Sequence, residues 1–237
     1  MTQGEVLTFA RCAGFVFRAP GFSHPSVPPF LRAGLAATLT LGLAPTLRAV
    51  PHTAGATFLL AVIGELCVGA AIGIAASVLY DGAYAGGRAL DDYVGIRGSV
   101  PSAAVVAGSG FGRIWSLTFL GGFFLLDGYH IVIRVFADSL ERLPPGSLVA
   151  AKPMYLFALS LPVLIMKAAI LTAAPAIALT FVVQIALGAL TRVVPRFSSF
   201  SLSFPVVFAV ALLATLAAVP AVLPLAAQPW LRLPFLP

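Results

Sequence analysis

Two long stretches near the end of this chain carry no charge, and that absence fixes the solvent before any other feature does. Ala168–Thr191 is 24 residues without Asp, Glu, Lys or Arg, and Phe197–Leu231 is 35. Only the pentapeptide RVVPR, residues 192–196, stands between them. Shorter uncharged runs cover 33–47, 49–64, 66–80 and 153–166. A helix crossing the hydrocarbon core of a bilayer needs about 20 mostly apolar residues. Charged residues make up 9% of the chain, against about 25% in soluble domains. The mean hydropathy is +1.03. The expected fold class is therefore all-α: a polytopic membrane protein, or a chain buried among other apolar subunits.

The net charge of +6 comes almost entirely from arginine. The arginines stand at segment ends, where headgroups accept them. There is no basic run with interleaved aromatics, so nucleic acid is not an expected partner, whereas membrane lipid is. Cys12 and Cys67 have no CxxC or Cys/His spacing and read as buried thiols. Glu5, Arg11 and Arg18 fall inside the first apolar stretch. A cleavable leader would instead have a basic start and a clean apolar core, so the first segment is expected to stay in the mature protein.

About six hydrophobic helical segments follow from the pattern, at roughly 4–18, 30–48, 54–80, 113–142, 153–191 and 202–227. Residues 81–112 are the most mixed stretch. The fifth segment contains Pro162 and Pro175. As one helix it would measure about 57 Å against about 30 Å of hydrocarbon, so either the prolines break it or much of it packs on protein. With six spans the arginines and lysines divide about seven to five between the two sides, too even to assign orientation.

Several residue sets are candidate functional positions. Glu65, Gly69 and Gly73 lie on one face of the third segment, and GAAIG permits close helix approach. Glu65 reads first as a polar anchor on that stripe and second as an ion carrier. Ala61 and Val68 are taken as outward positions on the same segment. Asp127, His130, Arg134, Asp138, Glu141 and Arg142 step by threes and fours along the fourth segment. They form a charged stripe for a wet surface, a channel or a polar subunit interface. Enzyme chemistry is not expected: the AGSGFG sequence at 107–112 fits neither GxSxG nor GxGxxG. His24 and His52 lack carboxylates at metal-ligand spacing, so no metal and no cofactor is expected.

Four stretches, taken in order, resemble one family. They are RCAGFVFRAPGFSHPSVPPFLRAGLA, GELCVGAAIGIA, LDGYHIVIRVFADSLERLPPG and IALGALTRVVPRFSSFSLSFPVVF. Together they are similar to the bacterial type III export-apparatus subunit called FliR in flagella and SctT (YscT, HrcT, SpaR) in injectisomes. The last stretch carries the most recognisable signature: Leu-Gly, an arginine, a proline turn, an aromatic and Phe-Pro.

That resemblance implies a non-enzymatic channel subunit of the export gate in the bacterial inner membrane, passing unfolded secretion substrates. It implies FliP/SctR-like and FliQ/SctS-like partner subunits in a helical hetero-oligomer, with FlhA/SctV-like and FlhB/SctU-like gate proteins beside it. It implies a FliP/SctR-like part over 1–150 and a FliQ/SctS-like helical hairpin over 151–237. Arg192, Pro195 and Arg196 would then form the hairpin tip. Residues 95–112 occupy the place of a channel plug, with Gly95, Arg97, Gly98, Val105, Val106, Gly108, Gly110 and Phe111 as its candidate residues. Flagellar members tend to be methionine-rich there. This loop has no methionine, and its Arg97–Gly98 pair is closer to injectisome members. The alternative reading is a small secondary transporter or permease component, with Lys167 and Gln184 as its polar candidates.

Overall fold

The computed structural model describes residues 2–23, 27–43, 55–95, 110–147, 151–193 and 200–222. Among these residues there are seven helices and no strand. They are α1 (Gln3–Arg18), α2 (Pro29–Leu43), α3 (Ala56–Val94), α4 (Gly110–Leu125), α5 (Gly128–Arg142), α6 (Ala151–Val193) and α7 (Phe200–Val222). Three of them, α3, α6 and α7, are long and apolar enough to cross a membrane, and a fourth span arises if α4 and α5 count as one broken span. This is an all-α polytopic membrane protein.

Local chemistry explains most helix ends. Thr2 and Glu5 form a reciprocal capping box at the start of α1, Glu5 N–H to Thr2 Oγ1 at 3.3 Å and Thr2 N–H to Glu5 Oε2 at 2.9 Å. α1 stops at Ala19, which is extended because Pro20 follows it. Pro29 opens α2, where its missing N–H costs nothing. α5 stops at Leu143, ahead of the Pro144–Pro145 pair.

Three boundaries depart from the sequence expectation. The third segment does not stop near residue 80 but runs on to Val94 as a single 39-residue helix. Its glycines would weaken an exposed helix by about 1 kcal/mol each. Here Gly82 and Gly86 face Ala168, Ala169 and Thr172 of α6 at close range, so packing offsets that cost. The fourth segment is two helices, broken where Asp127 adopts a left-handed backbone at φ 55°. α6 runs unbroken for 43 residues through Pro162 and Pro175. In an apolar environment no solvent competes for the remaining amides, which favours keeping the helix.

Contacts gather into two compact units. One is drawn from Met1–Val78 and Asp127–Val163, the other from Leu79–Leu126 and Leu164–Gln228. The first unit packs α1 against α2, the first part of α3 and α5, with Phe15 stacked on Phe136 at 4.5 Å. The second unit centres on Leu90, Val94, Phe111, Ala176, Val207, Ala211 and Ala214. Phe111 meets Phe208 there, ring centroids 5.5 Å apart.

Candidate functional site

In the first unit the stripe of small residues on α3 lies directly against α1. A Cβ added at Gly69 would overlap the Arg11 carbonyl oxygen, and one at Gly73 would come within 2.7 Å of the Phe15 oxygen. Gly14 on α1 answers from the other side, where a Cβ would press on Leu66 and Ala70 backbone. Only glycine lets two helix backbones approach so closely. Val68, expected to point outward, is 1% exposed and belongs to the core, while Gly64 faces open space. The helical stripe facing protein is therefore wider than its glycines alone suggest.

Glu65 sits at the end of this contact, and its partner comes from a different helix. The Arg11 Nε donates to Glu65 Oε2, and both side chains are essentially inaccessible. Arg11 Nη1 donates to the Ser139 carbonyl oxygen at 3.0 Å. The second Glu65 oxygen accepts from the Gly146 N–H at 2.9 Å. One buried ion pair thus ties α1, α3, α5 and the turn after α5 together. The sequence shows no second acid near Glu65, and the true partner is a base 54 positions away. Arg11 Nη2 is buried without a hydrogen-bond partner among the described residues.

His130, Arg134, Asp138, Glu141 and Arg142 share one face of α5 and are exposed, as is Asp127 at the break before it. Val132 and Phe136 on the other face are buried. His130 Nδ1 lies 3.9 Å from Asp127 Oδ1, both side chains well exposed. Arg134 and Asp138 make no ion pair with each other. The charged stripe is an exposed surface of this chain.

In the second unit the end of α3 and the start of α4 come together. Gly95 closes α3 with φ +84°, and its N–H reaches the Asp91 and Asp92 carbonyl oxygens at 3.1 and 3.3 Å. Gly110 and Phe111 are the first residues of α4, which corrects the expected loop of 95–112 at its far end. Phe111 is 1% exposed and packs in the second core. Arg97, Gly98, Val105, Val106 and Gly108 lie outside the described residues. So do Pro195 and Arg196, whereas Arg192 is exposed in the last turn of α6. There a positive charge complements the helix dipole.

Asp91 was not singled out from the sequence, yet it is wholly buried. Its Oδ1 accepts from the Phe111 N–H at 2.8 Å and its Oδ2 from the Gly112 N–H at 3.3 Å. It caps α4 from a different helix. Gly87, one turn back, admits the α4 backbone: a Cβ there would come within 2.5 Å of Phe111 O and Gly112 Cα. The sequence offered one signal, an acid at 91 four residues after a glycine pair, but nothing in it shows that the acid faces a helix start.

The profile of the bacterial export proteins, family 1, matches residues 4–233. The chain is 28% identical over 222 residues to the flagellar biosynthetic protein FliR of Escherichia coli K12, covering 90% of this chain and 83% of that protein. It is 25% identical over 211 residues to the flagellar biosynthetic protein FliR of Pectobacterium carotovorum, covering 86% and 80%.

Proposed function

The chain belongs to the bacterial export proteins, family 1, and from that premise we propose that it is the FliR/SctT-type channel subunit of a type III export gate. Membership makes it a flagellar or type III export-apparatus subunit, a structural component of that apparatus and not a member of a known enzyme family. The finer reading is that it helps pass unfolded proteins across the bacterial inner membrane. Its partners are FliP/SctR-like and FliQ/SctS-like subunits, with FlhA/SctV-like and FlhB/SctU-like proteins at the gate. The 1–150 part is the FliP/SctR-like portion, and α6 with α7 is the FliQ/SctS-like hairpin, its tip at Arg192–Arg196.

One observation on the described residues carries this reading beyond family membership. Leu156 and Val193 of α6 are both exposed apolar residues, as are Leu159, Ile170, Phe181 and Ile185 between them. Thirty-seven residues of helix separate the first from the last, about 56 Å, whereas lipid can cover about 30 Å. Exposed apolar surface of that length needs protein against part of it, as a subunit inside an assembly has. A solitary transporter would need polar groups free for a ligand. Glu65 is instead committed to Arg11 and Gly146.

Within the proposal, the segment that joins α3 to α4 acts as a seal of the closed channel, and the exposed stripe on α5 is a polar interface. Purification from membranes tests the assembly. The expected result is a large complex containing FliP/SctR-like and FliQ/SctS-like chains, with export lost when the gene is deleted. Recovery as a monomer that binds a small solute would overturn it in favour of the transporter. Deleting 99–110 should leave the complex assembled and leaky to ions and small solutes. An assembled complex with no added leak would remove the seal.

A further inference from the structure

We infer that the outward face of α6 docks an apolar helix of a neighbouring subunit, and that this helix presents one carboxylate to Lys167. This contact rests on the proposed assembly and adds the chemistry of one joint within it. In the sequence Lys167 stands only as a polar candidate of a transporter. The structure gives it a different setting.

In the second unit α6 has two faces. Ala168, Ala169 and Thr172 are buried against Gly82 and Gly86 of α3, and Ala176 is buried in the cluster with Leu90 and Val207. The opposite face follows from helix period: Lys167, Leu171, Ala174, Ala178, Phe181 and Ile185 step by fours and threes. All six are exposed. Ala174 and Ala178 form a small-xxx-small pair on that face, which lets a second helix backbone approach closely. Lys167 is the single charge on α6 between Lys152 and Arg192.

Among the described residues Lys167 has no ion-pair partner. Its own helix and the chain beyond it cannot supply one, because residues 142–237 contain no Asp or Glu. An ammonium that leaves water without an anion is costly, and a hydrogen-bonded carboxylate offsets that cost. Protein must cover part of this face, since α6 outlasts the bilayer. A covering helix that was apolar throughout would strand the lysine, whereas one with a single Asp or Glu at that level would pair it. A second copy of this chain, packed through the same face, would bring another lysine and no acid. The occupant is therefore a different chain.

A lipid phosphate is the other anion open to a lysine on a membrane helix. Lys167 and Arg192 are 25 residues apart, about 38 Å along a helix, close to the about 40–45 Å of a bilayer with its headgroups. The neighbouring helix argues against that level. Leu90 and Val94 of α3 cluster with Ala176, nine residues past Lys167. Asp92 lies between Leu90 and Val94 and is exposed, so it stands about 14 Å past Lys167 toward Arg192. With both cations at headgroups, Asp92 would sit in hydrocarbon, where a carboxylate is costly. Leu159 and Val163, exposed on the other side of Lys167, would at the same time face water. A protein carboxylate requires neither.

The test uses the complex purified from membranes. A membrane-permeant carbodiimide couples an amine to a carboxylate in contact with it, forming an amide with loss of water. Mass spectrometry of the digested complex should find Lys167 joined to an Asp or Glu of another subunit. Lys167→Arg should keep recovery of the complex near the unmodified level and lose that crosslink. Lys167→Met leaves the partner carboxylate unpaired and should lower recovery at least about tenfold. The isolated Lys167→Met chain should melt like the unmodified one, because Lys167 is exposed. Recovery of the Lys167→Met complex at the unmodified level overturns the contact. If that complex also retains less phospholipid in native mass spectrometry, the lysine belongs to lipid. Absence of the crosslink from the unmodified complex overturns the contact whatever the variants do. An unmodified chain recovered alone removes the proposed assembly itself, whereas an intact complex without the crosslink removes only the contact at Lys167.

Discussion

Replacing Glu65 by leucine should be among the most damaging single changes in this chain, and the structure says why. The substitution leaves Arg11 fully buried with no counter-ion. Breaking a buried pair by removing one partner costs about 3–5 kcal/mol. It also leaves the Gly146 N–H without its acceptor, a further cost of about 1–3 kcal/mol. The total of about 4–8 kcal/mol is a large part of the about 5–15 kcal/mol that holds a typical domain. Removing both charges tells a different story. Arg11→Met with Glu65→Leu leaves the Gly146 amide without its acceptor, but the Ser139 carbonyl keeps the Leu143 N–H and no charge stays buried. Such exchanges are often neutral or stabilising, so the double variant should recover at least about 2 kcal/mol relative to the sum of the singles. The assay is melting of the purified protein in detergent, followed by circular dichroism, with membrane yield as the second readout. The reasoning is refuted if Glu65→Leu melts like the exposed control Asp138→Ala. It is equally refuted if the double variant is as unstable as the two singles added together. The second outcome would mean that the pair does not act as a unit.

Gly69→Leu and Gly73→Leu should each force α1 away from α3 and lower yield sharply, since overpacking against backbone costs about 1–3 kcal/mol or more, while Gly64→Leu, which faces open space, should be tolerated. Equal yields for all three in membranes would count against the packing stripe. Arg134→Glu should leave the isolated chain folded, because Arg134 is exposed, and should abolish recovery of the complex if the α5 stripe meets a partner. Phe111→Ala should cost about 3–5 kcal/mol in the melt, because Phe111 is 1% exposed in the second core. Cys67 is exposed and Cys12 buried. Burial pushes the Cys12 thiol up, and its hydrogen bond with Thr40 and the charge of Arg11 offset only part of that rise. In detergent at mildly alkaline pH a maleimide should therefore modify Cys67 well before Cys12, and the reverse order, read by mass, would contradict the packing of α1.

Which features were legible in the sequence depends on whether a local pattern encodes them. The uncharged runs gave helices of membrane length, because the bilayer imposes a length that composition alone can meet. The charged periodicity of α5 gave one exposed face, because threefold and fourfold spacing is set by helix geometry within the element. The stretches quoted for the family carried the identification, since matched residues in order survive where any one motif is weak. Other features arise only between elements. Gly82, Gly86 and Gly87 look like breakers in the sequence, and α3 runs through them because other helices fill the space beside them. The break at Asp127 falls on an Asp-Gly pair, a turn signal in itself, but the charge spacing of threes and fours runs through it and reads as one continuous helix. Glu65 shows its charge in the sequence but not its partner, because Arg11 lies 54 positions away and only tertiary packing aligns the two. Asp91 is the extreme case: a carboxylate becomes a helix cap only when another helix begins beside it, and no spacing along one chain records where that helix will start.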